Sequence, residues 1–118
     1  MRFVVALLLS AVLAACSHGH IETLPSGKQI KALGIGEMPN FLDQPALTFS
    51  YETEIPIHNR DALEKEADEV WEIFRSKVEE RGLTRGVIMA TPKQVAGAKS
   101  QGVGIIYKKM PDGSWSRK

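Results

Sequence analysis

The sequence predicts an α+β domain in which one long helix packs on one face of a small, mainly antiparallel sheet. Three observations predict it. Residues 47–57 alternate between two faces, Leu47, Phe49, Tyr51, Thr53, Ile55 and Ile57 on one and Thr48, Ser50, Glu52, Glu54 and Pro56 on the other, which is the period of a half-buried strand. Residues 60–81 switch to a helical period, with Leu63, Ala67, Val70, Trp71, Phe74 and Val78 on one stripe. Residues 103–116 read as a strand, a Met110-Pro111-Asp112-Gly113 turn and a short return strand.

The strand's apolar face and the helix's stripe each need a partner, and each is the obvious partner of the other. Burying Trp71 and Phe74 between them is worth about 1.5–3 kcal/mol apiece. The helix has its own boundaries. Asp61 with Glu64 makes a capping box, Asn59 is the competing N-cap, and Gly82 supplies the left-handed residue that stops it. Around these elements, 28–35 reads as a weak first strand, since Gly34 and Gly36 cost strand stability. Residues 38–45, with Pro39, Asn40, Asp43 and Pro45, read as loop. Val87, Ile88, Met89 and Ala90 form a short buried strand, and 93–102 a polar loop. The expected order is (β)-β-α-β-β-β, with the sheet face carrying Ser50, Glu52 and Glu54 left open to a protein partner.

The N-terminus carries an address. Arg2 and the amino terminus supply a positive region, and residues 3–15 are apolar except for Ser10. A membrane span needs about 20 apolar residues, so this shorter run reads as a secretory signal. Its end, Leu13-Ala14-Ala15-Cys16, resembles the lipobox of bacterial lipoproteins. The resemblance implies transfer of a diacylglyceryl group to the Cys16 thiol, cleavage between Ala15 and Cys16, acylation of the new amine with palmitate-type chains, and anchoring without a spanning helix. Ser17, where an Asp would retain such proteins at the inner membrane, implies the outer membrane facing the periplasm in a Gram-negative cell. Cysteine usage agrees with lipidation: Cys16 is the only cysteine, so no internal disulfide can form, and a lipid would cap a thiol otherwise exposed in an oxidising compartment. The expected organisation is a signal at 1–15, a tether at 16–24 and a single domain at 25–118.

Without the signal, 103 residues remain, carrying 14 basic and 14 acidic side chains. That size is one domain, and that balance argues against a nucleic-acid binder. The charges are segregated. Residues 61–81 hold eight acids against four bases, and 83–118 hold seven bases against one acid. This fits a solvated acidic helix beside a basic sheet edge, or a basic patch facing lipid headgroups or an acidic partner. Trp115, with Lys108 and Lys109, is the candidate for such a surface contact.

Candidate chemistry is sparse. His18 and His20, one residue apart on the expected tether, fall short of the four ligands of a closed metal site. No metal or other cofactor is expected. His58 sits at the strand-to-helix corner and suits a loop or cap role better than that of a general base. Glu52 and Glu54 share a strand face about 7 Å apart, a spacing that also describes ordinary exposed acids. Gly97-Ala98-Lys99-Ser100 and Gly34-x-Gly36 lack the glycines that phosphate-binding loops need. No serine sits on a nucleophile elbow, and the single cysteine is taken by lipid. The 47–90 stretch resembles small uncharacterised bacterial exported proteins sharing a Tyr-x-Thr strand, here Tyr51-Glu52-Thr53, and a helix reading Val70-Trp71-Glu72-Ile73-Phe74-Arg75. That resemblance implies a fold and no activity. The expectation is a non-catalytic, membrane-anchored envelope lipoprotein acting as a binding or accessory module. The alternatives are a structural or immunity-like protein partner, and a small hydrolase using Glu52, Glu54 or His58.

Overall fold

A computed structural model describes residues 19–93 and 102–117. They form β1 (His20–Thr23), β2 (Gln29–Phe41), β3 (Gln44–Thr53), α1 (Arg60–Glu80), β4 (Arg85–Pro92), β5 (Val103–Lys109) and β6 (Trp115–Arg117). The six strands lie in one sheet in chain order. All neighbours are antiparallel except β3 and β4, which the helix joins as the crossover that parallel neighbours require. The fold is α+β, as the two hydrophobic periods imply, with the order β-β-β-α-β-β-β.

That order corrects the expected one at the N-terminal end. His20–Thr23, read from sequence as tether, pairs with β2 from His20 opposite Ala32 to Thr23 opposite Gln29. Four half-polar residues carry little strand signal of their own; β2 supplies the template. β2 is also longer than 28–35, and 38–45 is a hairpin where a loop was expected. Leu42 (φ 50°) and Asp43 (φ 67°) both adopt left-handed backbone, the arrangement of the tightest hairpin turns. A leucine there costs about 1–2 kcal/mol. Arg85 holds the turn in place by donating from Nη1 to the carbonyls of Phe41 (3.2 Å) and Leu42 (2.9 Å). Two register irregularities, at Leu33 and between Met38 and Phe41, absorb the bulge and Pro39.

The helix begins and ends close to where its sequence signals place it. Asn59 is the N-cap, its side chain accepting from the backbone of Ala62, so the Asp61–Glu64 box is not the one used. Gly82, at φ 68°, is the left-handed stop. The stripe packs on Leu47, Phe49 and Tyr51 of β3, Ile88 and Ala90 of β4, and Ile105 and Tyr107 of β5. Phe74 lies 5.1 Å from Phe49, ring to ring. Ile55 and Ile57, beyond the end of β3, are half-buried against the same core. On the opposite sheet face Ser50 and Glu52 are half-buried and Val87 is buried.

Candidate functional site

A groove of about 890 Å³ lies between α1 and the β5–β6 hairpin. Its floor is aromatic. Trp71 projects from the helix stripe onto the sheet at Gly86, where a Cβ would fall 2.4 Å from the Trp71 ring. The missing side chain is therefore what seats the indole. Gly86 is paired with Tyr107 on the next strand, and Trp71 stacks on that phenol with centroids 4.4 Å apart and planes parallel within 1°. Trp115 of β6 meets Trp71 edge-on at 4.9 Å.

The rim is charged, and its groups are engaged with one another. Tyr107 donates its hydroxyl to Asp68 Oδ1 at 2.8 Å. Burial, the hydrogen bond and the negative charge of Asp68 all push the phenol's pKa upward. Arg117 donates from Nε to Asp68 Oδ1 at 2.8 Å, from Nη2 to Oδ2 at 3.2 Å and from Nη1 to Glu64 Oε1 at 2.8 Å. The hydrogen bond to Asp68 leads the causes that raise the guanidinium's pKa. Trp115 donates its indole N–H to Glu79 at 3.0 Å. Glu72 and Arg75 complete the wall along the helix. The acidic helix and the basic C-terminus, segregated in sequence, thus meet here and neutralise each other in part.

A second polar centre lies in the core. Glu66 is 4% exposed and sits on the buried helix face. Tyr51 donates to it at 2.7 Å, Thr53 at 2.6 Å, and the Lys28 ammonium reaches it from the β1–β2 turn. Burial works to raise the carboxyl's pKa, and the bonds from Lys28, Thr53 and Tyr51 outweigh it, leaving the group below the ordinary glutamate range. The same three bonds engage both carboxylate oxygens, which suits a pin between helix and sheet. Sequence reading by hydrophobicity passed over Glu66. Its spacing, three after Leu63 and four before Val70, is the signal that places it inward.

The residues singled out from sequence fall in different places. Trp115 joins the groove, half-buried and with its N–H engaged. Lys109 pairs with Trp115 and Lys108 with Ser116, so the two lysines face opposite sides of the sheet. Glu52 and Glu54 line a cleft of about 310 Å³ beside Glu66, together with Lys28, Lys31 and Lys93. His58 is exposed in the β3–α1 connection. His20 Nε2 lies 2.5 Å from Glu22 on β1. Ala15, Cys16, His18, residues 97–100 and Lys118 lie outside the described residues. Among the described residues, no group of three or more His, Cys, Asp or Glu is arranged to hold a metal ion, and no helix is long and apolar enough to cross a membrane.

Compared with family models, with curated proteins and with solved structures, the chain matches none.

Proposed function

We propose that the chain is a lipid-anchored envelope protein whose domain is a binding or accessory module without catalysis of its own. Its anchor is Cys16, in the sequence Leu13-Ala14-Ala15-Cys16, and its recognition surface is the groove on Trp71, Tyr107 and Trp115. The observation that carries the recognition half is the state of the groove's polar groups. Asp68 is held by Tyr107 and Arg117, and Glu79 by Trp115. Such groups are fixed in direction, which suits recognition of a ligand's shape and charge. A general acid or base needs a group free to exchange its proton with substrate. An aromatic floor with a few oriented polar groups is the usual make-up of a binding site.

Cys16→Ser tests the anchor. The wild-type protein is expected to incorporate labelled palmitate and to sediment with membranes, and the variant is expected to lose both. Unchanged acyl labelling, or unchanged membrane retention of the variant, overturns the lipoprotein reading. Detergent extracts from cells expressing wild type and Trp115→Ala test the groove. A partner recovered with wild type and lost with the variant supports it, and equal recovery assigns binding to another surface.

A further inference from the structure

The anchor and the sheet lie closer together than a tether at 16–24 would place them. β1 begins at His20, so Ser17, His18 and Gly19 alone separate it from Cys16. Four residue steps span at most about 14 Å. Gly19 lies against Ala32, where a Cβ would fall 2.6 Å from the Ala32 carbonyl oxygen. A lipid on Cys16 would therefore lie within about 14 Å of His20, which pairs with Ala32 near the start of β2.

That edge is open and carries exposed apolar side chains among polar ones. β1 pairs only with residues 29–32 of β2, leaving 33–41 without a neighbour on that side among the described residues. Leu33 is 40% exposed, Ile35 45% and Ile21, on the opposite face of the same rim, 59%. Long open edges with apolar side chains invite pairing and are normally blunted or covered. Charges of both signs stand among these side chains, with Glu22 in the cleft at Leu33 and Ile35, and Glu52 and Glu54 in the cleft at Ile21. Lys31 is paired across from Ile21, and Lys77 lines a cleft of about 300 Å³ with Leu33 and Ile35. Lysines beside apolar side chains suit a membrane interface, where the stem lies on apolar surface and the ammonium reaches headgroups. The basic β5–β6 hairpin occupies the other edge, five strand spacings or about 24 Å away.

We propose that the β1–β2 edge is the membrane-docking surface of this protein, with Ile21, Leu33 and Ile35 entering the headgroup region of the leaflet that holds the lipid on Cys16. This rests on the lipoprotein reading above. Docking would cover the open edge, fix the orientation of the domain and direct the aromatic groove away from the anchor.

The test uses the full, lipidated chain in vesicles of phosphatidylethanolamine and phosphatidylglycerol. The Cys16 thiol is blocked by lipid, so Ile21→Cys, Leu33→Cys and Ile35→Cys each present one free thiol for an environment-sensitive fluorophore. Leu42→Cys, at the β2–β3 turn, and Met110→Cys, at the β5–β6 turn, serve as exposed controls. Mass spectrometry of the wild-type protein records whether Cys16 is acylated. Quenching by lipids carrying a spin label near the headgroup is expected to be several-fold stronger at 21, 33 and 35 than at 42 and 110. Acylated protein with equal quenching at all five positions overturns the docking surface and leaves the anchor standing. Protein cross-linking to a second copy through position 35 without quenching overturns it in favour of edge pairing. A Cys16 without acyl chains overturns both.

Discussion

Gly86 and Trp71 share one volume: a Cβ on the glycine would lie 2.4 Å from Cζ3 and 2.7 Å from Cη2 of the indole. The floor of the groove depends on that vacancy. Trp71 reaches the level of Tyr107 and Trp115 because the strand beneath its ring has no side chain there.

Gly86→Ala should therefore destabilise the domain. In a strand, replacing glycine by alanine normally gains about 0.5–1 kcal/mol of backbone entropy. Here the new methyl meets a rigid ring that Tyr107 and Trp115 hold in place, and overpacking of that kind costs about 1–3 kcal/mol. The clash should win. Gly104→Ala is the control, since its Cβ would sit 3.4 Å from the flexible end of Met89. Urea melts should show a lower midpoint for Gly86→Ala alone. A Gly86→Ala domain as stable as wild type would mean that Trp71 is not seated on the strand.

The parts of the fold that could be read in the sequence are those whose period is long. Eleven alternating residues announced β3, and twenty-two with one apolar stripe announced α1. What stayed hidden depended on pairing rather than on local pattern. β1 is four residues with no distinctive composition, and only the register with β2 makes it a strand. The β2–β3 turn uses Leu42 and Asp43 where the usual signal is Asn-Gly or Asp-Gly. The groove was half legible. Trp71 was recognised as core, yet the partners expected for it were on β3. Its stacking partner Tyr107 is two strands away from β3, reached because Gly86 clears the space under the Trp71 ring.

Glu66 makes the second prediction, on stability and pH. Removing its side chain strands the hydroxyls of Tyr51 and Thr53 and releases the Lys28 ammonium. Glu66→Ala should cost about 2–6 kcal/mol, since each of the two buried hydroxyls left without a partner costs about 1–3 kcal/mol, while Lys28, 41% exposed, can turn to water. Glu66→Gln keeps the shape and loses the charge, and should cost less, about 1–3 kcal/mol. The native carboxyl titrates below its unfolded value, so the folded state holds its proton less tightly. The stability Glu66 contributes is therefore complete above about pH 4.3, the ordinary glutamate value, and drains as pH falls toward the lower native value. The gap in unfolding free energy between wild type and Glu66→Gln should narrow through that window. A gap that is flat, or that widens on acidification, would show that the carboxylate is not ionised in the native core.

The third prediction separates packing from charge in the β5–β6 hairpin. β6 is three residues long and lies at a sheet edge, so its own ladder bonds hold it weakly. Two side chains tie it to α1: Trp115, against Trp71 and Glu79, and Arg117, on Asp68 and Glu64. Arg117 is 35% exposed and Asp68 46%, and ion pairs in water's reach contribute about 0–1 kcal/mol. Trp115 is half-buried and removes aromatic area from water, which is less sensitive to salt. Truncating a fully buried tryptophan costs about 3–5 kcal/mol, so about half of that range is expected for Trp115→Ala. Arg117→Ala should cost under about 1 kcal/mol, and that cost should fade in high salt. Thermal melts of both variants at low and high salt decide the matter. If Arg117→Ala proves the more damaging of the two, the hairpin is held by charge, and the groove's aromatic floor is a consequence of that clamp rather than its cause.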